Sequence, residues 1–180
     1  GVVQRAELLD AIVADVYGAQ RLLAGGQLPT PAVLDHEEYL RPLVGARSIA
    51  TSLFMVAVDL GRDTSGQWTV MSDRTQAPSG AGYAMQNRRV VSRVMPELHQ
   101  AAHLHRLTPC FQALRSALID SAPAQVESPR VVVLSPGSKS ETAFDQAFLA
   151  SLLGFPLVEG GDLTVRDGRV WMQVLGKLEE

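Results

Sequence analysis

The sequence predicts an α/β chain: a helical lobe that carries an antiparallel β-hairpin, then a small Rossmann-like βαβ unit ending in a second hairpin. Three observations predict it. Apolar residues recur at helical spacing from the start of the chain. Two β-rich runs, 53–60 and 67–73, flank a stretch of turn residues. In the last third a continuous apolar run, a helical stretch and a second short apolar run follow one another.

The first helix rests on Val3, Ala6, Leu9, Val13, Val16 and Tyr17, spaced three and four apart. Gly25-Gly26 stops a second helical stretch around residues 20–23. Pro29-Thr30-Pro31 imposes an extended connection, and a short helix is expected over residues 35–40, ended by Pro42. Gly61-Arg62-Asp63-Thr64-Ser65-Gly66 supplies the turn of the first hairpin. A tight loop at 77–82 leads into helices expected over 83–94, 96–106 and 108–120. Pro96 and Pro109 fall in first turns and Thr108 is the expected N-cap. Residues 121–129 read as a linker, which places a boundary between lobes 1–127 and 128–180. Beyond it, residues 130–134 form a strand of the fully buried kind, 142–153 a helix ended by Gly154, and 156–158 a second strand, paired in parallel through the crossover. Asp167-Gly168, between two β-rich runs, predicts a type I′ hairpin.

Composition narrows the function classes. A hydrophobic fraction of 46% with 19% charged residues excludes wholesale disorder. A formal net charge of −3 argues against a broad grip on nucleic acid or anionic lipid. No apolar run reaches the roughly 18 residues of a membrane helix, no signal peptide is visible, and a lone Cys110 forms no intrachain disulfide, so a cytoplasmic setting is expected, with Cys110 as a small buried hydrophobe. The chain starts at Gly1 inside a helical pattern and stops just past a strand-like run. It is therefore expected to be a piece excised from a larger protein at domain edges.

Several motifs carry a resemblance. They are the run from Trp68-Thr69-Val70-Met71-Ser72-Asp73-Arg74 through Pro78-Ser79-Gly80 to Gly82-Tyr83 and Asn87-Arg88, then Gln4-Arg5-Ala6, Asp15-Val16-Tyr17-Gly18, Leu40-Arg41-Pro42 with Gly45 and Arg47, and the runs 131–137 and 157–170. Together they resemble the circularly permuted ATP-grasp proteins of bacteria, related to glutathionylspermidine synthase. The resemblance implies a carboxylate–amine ligase that uses ATP and magnesium to form an acyl phosphate, which an amine then converts to an amide. Its partners would be small-molecule acid and amine substrates, with no nucleic acid and no membrane. It also implies that the nucleotide-grasping lysines lie in a missing C-terminal part of the same chain, so this piece alone is expected to be inactive. Apolar surface exposed by such a cut can pair with a second copy, which makes a homo-oligomer possible.

In that family's pattern an Asp on the first hairpin strand and a Glu-x-Asn on the second hold the metal. Asp59 matches the first position and is the metal candidate. The second falls on Ser72-Asp73-Arg74, so Ser72 and Arg74 are altered catalytic-site positions. Alternation puts Ser72 and Arg74 on one face of the strand and Asp73 on the other. With an even loop, Asp59 shares the face of Ser72 and Arg74, and a one-residue bulge reverses this. On that register Arg74 pairs with Asp59 where magnesium would sit. Two functions follow: a ligase with an altered metal site, or a degenerate, non-catalytic scaffold or binding module.

The remaining candidates are weaker. Ser79 and Gly80 stand at a helix start that can meet an anion, against an ordinary glycine turn. Asn87 and Arg88 follow on the helix, against a solvated face. Arg41 and Arg47 flank Gly45 and suit a phosphate or carboxylate, against surface salt bridges. His99 and His103 have the spacing of a zinc pair but no third ligand, so a solvated or capping role is expected. The loop 135–140 lacks the order of a P-loop and is expected to cap the next helix. Phe144 and Phe148 read as core.

Overall fold

The computed structural model describes residues 1–46, 51–122 and 126–179. It divides into two compact units, Gly1–Pro78 and Ser79–Glu180. The division by compactness falls earlier than the composition break near residue 127, because the helices between the two points pack with the βαβ segment.

In the first unit α1 spans Val2–Tyr17, α2 Arg21–Ala24 and α3 Thr30–Leu34. Asp15 turns the chain from α1 into α2: its two carboxylate oxygens accept the N–H groups of Arg21 and Leu22 at 3.1 and 2.9 Å. The helix expected over 35–40 is absent. Helix forms instead at Thr30–Leu34, with Pro31 in its first turn where a missing N–H costs nothing, and a 3₁₀ turn follows at Arg41–Leu43. Tyr39 then stacks on Tyr17, ring centroids 5.3 Å apart. The hairpin consists of β1 (Ala57–Arg62) and β2 (Trp68–Arg74). Ahead of β1, Asp10 of α1 accepts the N–H groups of Ser52 and Leu53 at 2.7 and 2.8 Å and so fixes the approach to the strand.

The second unit begins with α4 (Ala81–Val94), α5 (Pro96–Ala101) and α6 (Thr108–Asp120). Helix α5 stops short of the expected residue 106, because His103 adopts a left-handed φ of +46°. The N-cap of α6 is Leu107, with Thr108 already inside the helix. Strand β3 (Val133–Ser135), α7 (Ala143–Leu153) and β4 (Leu157–Glu159) follow, with β3 and β4 paired in parallel as expected. A three-stranded antiparallel sheet then holds β5 (Leu163–Arg166), β6 (Arg169–Val174) and β7 (Lys177–Glu179). Asp167-Gly168 makes the expected turn with φ of +53° and +74°. A second tight turn at Leu175-Gly176, also left-handed, adds β7, which the sequence did not suggest.

The core of this unit is Met85 of α4, Phe111 of α6 and Leu153 of α7, with Leu114, Leu118, Phe148 and Leu152 packed around them. Phe144 is half-exposed rather than core, lying against Tyr83 and Phe148 at 5.2 and 5.9 Å. Cys110, expected inside, is exposed on α6. Gly82 marks where α4 comes closest to α7: a Cβ there would stand 2.7 Å from Asp145 Oδ1 and 3.0 Å from the Asp145 carbonyl oxygen. Gly82→Ala is therefore expected to force the helices apart and cost on the order of 1–3 kcal/mol, read as a lowered midpoint in urea unfolding. None of the described helices is long and apolar enough to cross a membrane.

Candidate functional site

The hairpin assembles its cluster through two compensating irregularities. Five residues, Asp63 to Gln67, separate β1 from β2, so the loop is odd and would on its own place Asp59 opposite Met71. A bulge then slips the register: Leu60 faces Val70 but Asp59 faces Ser72, leaving Met71 as the extra residue. Its side chain lies over Gly61, where a Cβ would come within 3.1 Å of the sulfur. Asp63 holds the loop, accepting from the Ser65 hydroxyl at 2.6 Å and the Gln67 N–H at 2.8 Å. These bonds, Ser65's foremost, keep its pKa below the ordinary aspartate value.

On the resulting face Asp59, Ser72 and Arg74 meet. Ser72 Oγ donates to Asp59 Oδ2 at 2.5 Å and Arg74 Nη2 donates to Asp59 Oδ1 at 2.9 Å, so both carboxylate oxygens are engaged. The Arg74 and Asp59 side chains are 55% and 50% exposed, so their pair contributes only about 0–1 kcal/mol to stability. Asp73 takes the other face, as alternation requires, where Arg5 of α1 donates through Nε to both its oxygens at 2.8 Å and through Nη2 at 2.6 Å.

Arg5's hydrogen bonds hold the Asp73 pKa below its ordinary value. A depressed carboxylate pKa means stability that is present above the ordinary aspartate range near 4 and lost as pH falls through the lowered value. Arg5→Gln is expected to move that acid loss of α1 packing to higher pH, followed by amide signals of β2 during acid titration.

A divalent cation fits poorly here. Magnesium takes oxygen ligands, usually one or two carboxylates with waters, whereas Asp59 already faces a hydroxyl donor and a guanidinium. Among the described residues no group of three or more His, Cys, Asp or Glu side chains is placed to hold a metal ion. Of the other candidates in this unit, exposed Arg41 donates to the Leu34 carbonyl at 3.4 Å, and Arg47 lies outside the described residues.

In the second unit the helix start at Gly80 carries an anion supplied by the chain itself. Asp145 of α7, only 3% exposed, accepts Gly80 N–H through Oδ2 at 2.8 Å, and Gly82 and Tyr83 N–H through Oδ1 at 2.7 and 3.1 Å. The amides expected to meet a substrate or phosphate thus already bind a carboxylate. Ser79 is exposed beside them and Asn87 is exposed on α4. Arg88 donates to the His105 carbonyl at 3.2 Å. The loop after β3 is tied inward: Ser135 Oγ donates to Gln146 Oε1 at 2.6 Å and accepts Gly137 N–H at 3.1 Å, so it braces α7.

The family model for circularly permuted ATP-grasp type 2 matches residues 1–180. The chain belongs to this family. An uncharacterized protein of Mycobacterium tuberculosis is 53% identical over 180 residues, 99% of this chain and 20% of its own length. One from Synechocystis is 33% identical over 180 residues, 37% of its length, and one from Mycobacterium leprae 35% identical over 173 residues, 31% of its length. This ATP-grasp chain thus spans between a fifth and roughly a third of these relatives. Its α/β architecture and antiparallel hairpins suit a part of such a scaffold, and the family in general binds ATP and magnesium.

Proposed function

We propose that the chain is the early part of a longer cytoplasmic protein, an ATP-dependent carboxylate–amine ligase of the glutathionylspermidine synthase kind with an altered metal site. ATP activates a small-molecule acid as its acyl phosphate and an amine completes the amide. The observation that carries this reading is family membership along the whole chain together with the Asp59–Ser72–Arg74 cluster. Catalysis of phosphoryl transfer is mostly positioning and neutralisation of charge. In this arrangement Asp59 orients Arg74, and the guanidinium presents a fixed positive charge with donors left over after its single bond to Asp59. Ser72 holds the second Asp59 oxygen and prevents the carboxylate from turning away. Ser79, Asn87, Arg88, Arg41 and Arg47 are the proposed substrate contacts, and the 128–180 segment the substrate-side lobe.

One observation favours a second reading, a non-catalytic binding module: each oxygen of the carboxylate expected to hold a metal is engaged by a donor of its own hairpin. Calorimetry of the full-length protein with ATP, with and without magnesium, and phosphate release over pools of acids and amines separate the two. ATP binding with turnover supports the ligase; ATP binding without turnover in any pool supports the module; neither binding nor turnover overturns both.

A further inference from the structure

A cavity of about 440 Å³ opens in the second unit between α4, α5, α7 and the loop that leads into α6. Its polar lining includes Arg88, Arg89 and Arg106 with His99 and His105, and no acidic side chain lines it. Elsewhere arginines find carboxylates: Arg5 with Asp73, Arg74 with Asp59, Arg130 with Glu179. None of the three cavity arginines has a carboxylate partner among the described residues. Arg88 makes one hydrogen bond, to the His105 carbonyl, which anchors the loop beneath it. The Arg89 guanidinium carbon lies 5.2 Å from the centroid of the Phe148 ring, a cation–π contact that leaves its N–H donors unused. The buried Met85 and the partly buried Leu152 supply an apolar floor.

We propose that this cavity is a binding site for a small oxyanion-bearing molecule, its phosphate or carboxylate group seated among Arg88, Arg89 and Arg106 and its apolar body on Met85 and Leu152. Three guanidiniums without a counter-charge repel one another, and a multiply charged oxyanion relieves that repulsion while accepting their forked donors. The volume is that of a metabolite-sized pocket. At the rim, α6 starts with neither a side-chain cap nor an acidic first-turn residue, so its N-terminal field adds to the same polarity. The site lies wholly in one unit and does not rest on the ligase reading.

The test is calorimetric titration of the full-length protein, without nucleotide, with inorganic phosphate and separately with citrate, at constant ionic strength. Arg106→Gln is the informative variant, since Arg106 holds nothing else in place; Arg93→Gln, on the same helix as Arg88 but outside the cavity, is the control. Saturable binding of either anion that weakens about tenfold in R106Q and stays within about twofold in R93Q is expected, and the stronger of the two probes tells phosphate from carboxylate. Absence of saturable binding of both anions, or equal losses in R106Q and R93Q, overturns the proposal. Because no ATP is present, that failure is separate from any failure of the ligase assay.

Discussion

Asp145→Ala should destabilise the second unit by on the order of 3–5 kcal/mol, since hydrogen bonds to a charged group contribute roughly 1.5–3 kcal/mol each and three donors lose their partner together. The Gly80, Gly82 and Tyr83 N–H groups all point at this one buried carboxylate, and water entering the gap recovers only part of the loss. The midpoint of thermal unfolding of this unit should fall by at least about 12 °C. Amide exchange at those three residues should accelerate well before exchange in the first unit does. Asp145→Asn separates charge from shape. Its carbonyl oxygen can still accept from Gly82 and Tyr83, but its amide group meets the Gly80 N–H donor to donor. About half the alanine effect is expected, with Gly80 the most affected. Equal protection of the three amides in D145A and the parent would contradict the capping role.

The second large effect is a gain. Ser72→Glu with Arg74→Asn removes the guanidinium from the hairpin and sets a second carboxylate and an amide oxygen on the face of Asp59. Three oxygen ligands with open positions for water suit magnesium or manganese. The double variant of the full-length protein is expected to bind manganese at least about tenfold more tightly than the parent, whose Arg74 repels a cation at that oxygen. Water-proton relaxation of manganese solutions reads this directly. The single Arg74→Asn should show a smaller gain, because Ser72 still occupies one Asp59 oxygen. No gain in the double variant would show that the face is closed to metals for a reason other than its charge.

How much of this was legible before the fold was known differs sharply between the two units. That Ser72 and Arg74 share a face could be read from alternation alone, because side chains on a strand obey a two-residue period whatever surrounds them, but Asp59 joins them only because an odd loop and a bulge cancel each other. The type I′ turn at Asp167-Gly168 was legible for the same local reason: only certain residues tolerate two successive left-handed positions. Leu175-Gly176 makes a comparable turn with an unfavourable leucine, and so β7 escaped notice. The Asp145 cap was not legible at all. It joins residues 62 to 65 positions apart, and an aspartate in the first turn of a helix normally serves its own helix. The basic cavity was equally hidden, since Arg88, Arg89 and Arg106 converge only once α5 stops early and the loop after His103 folds back. Arg88 stands out in the sequence only as part of the run that carries the family resemblance, and Arg89 and Arg106 carry no local signal.

The bulge at Met71 decides the sign of the charge on an entire surface. Were the ladder straightened, Asp59 would sit across from Met71, Asp73 would swing to its side, and Ser72 with Arg74 would rotate toward Arg5. A surface where arginine answers aspartate would become one where two carboxylates stand together, without a single substitution among the charged residues. Selection on the electrostatics of this hairpin can therefore act through an uncharged position, and comparisons of related chains by residue identity alone will miss it.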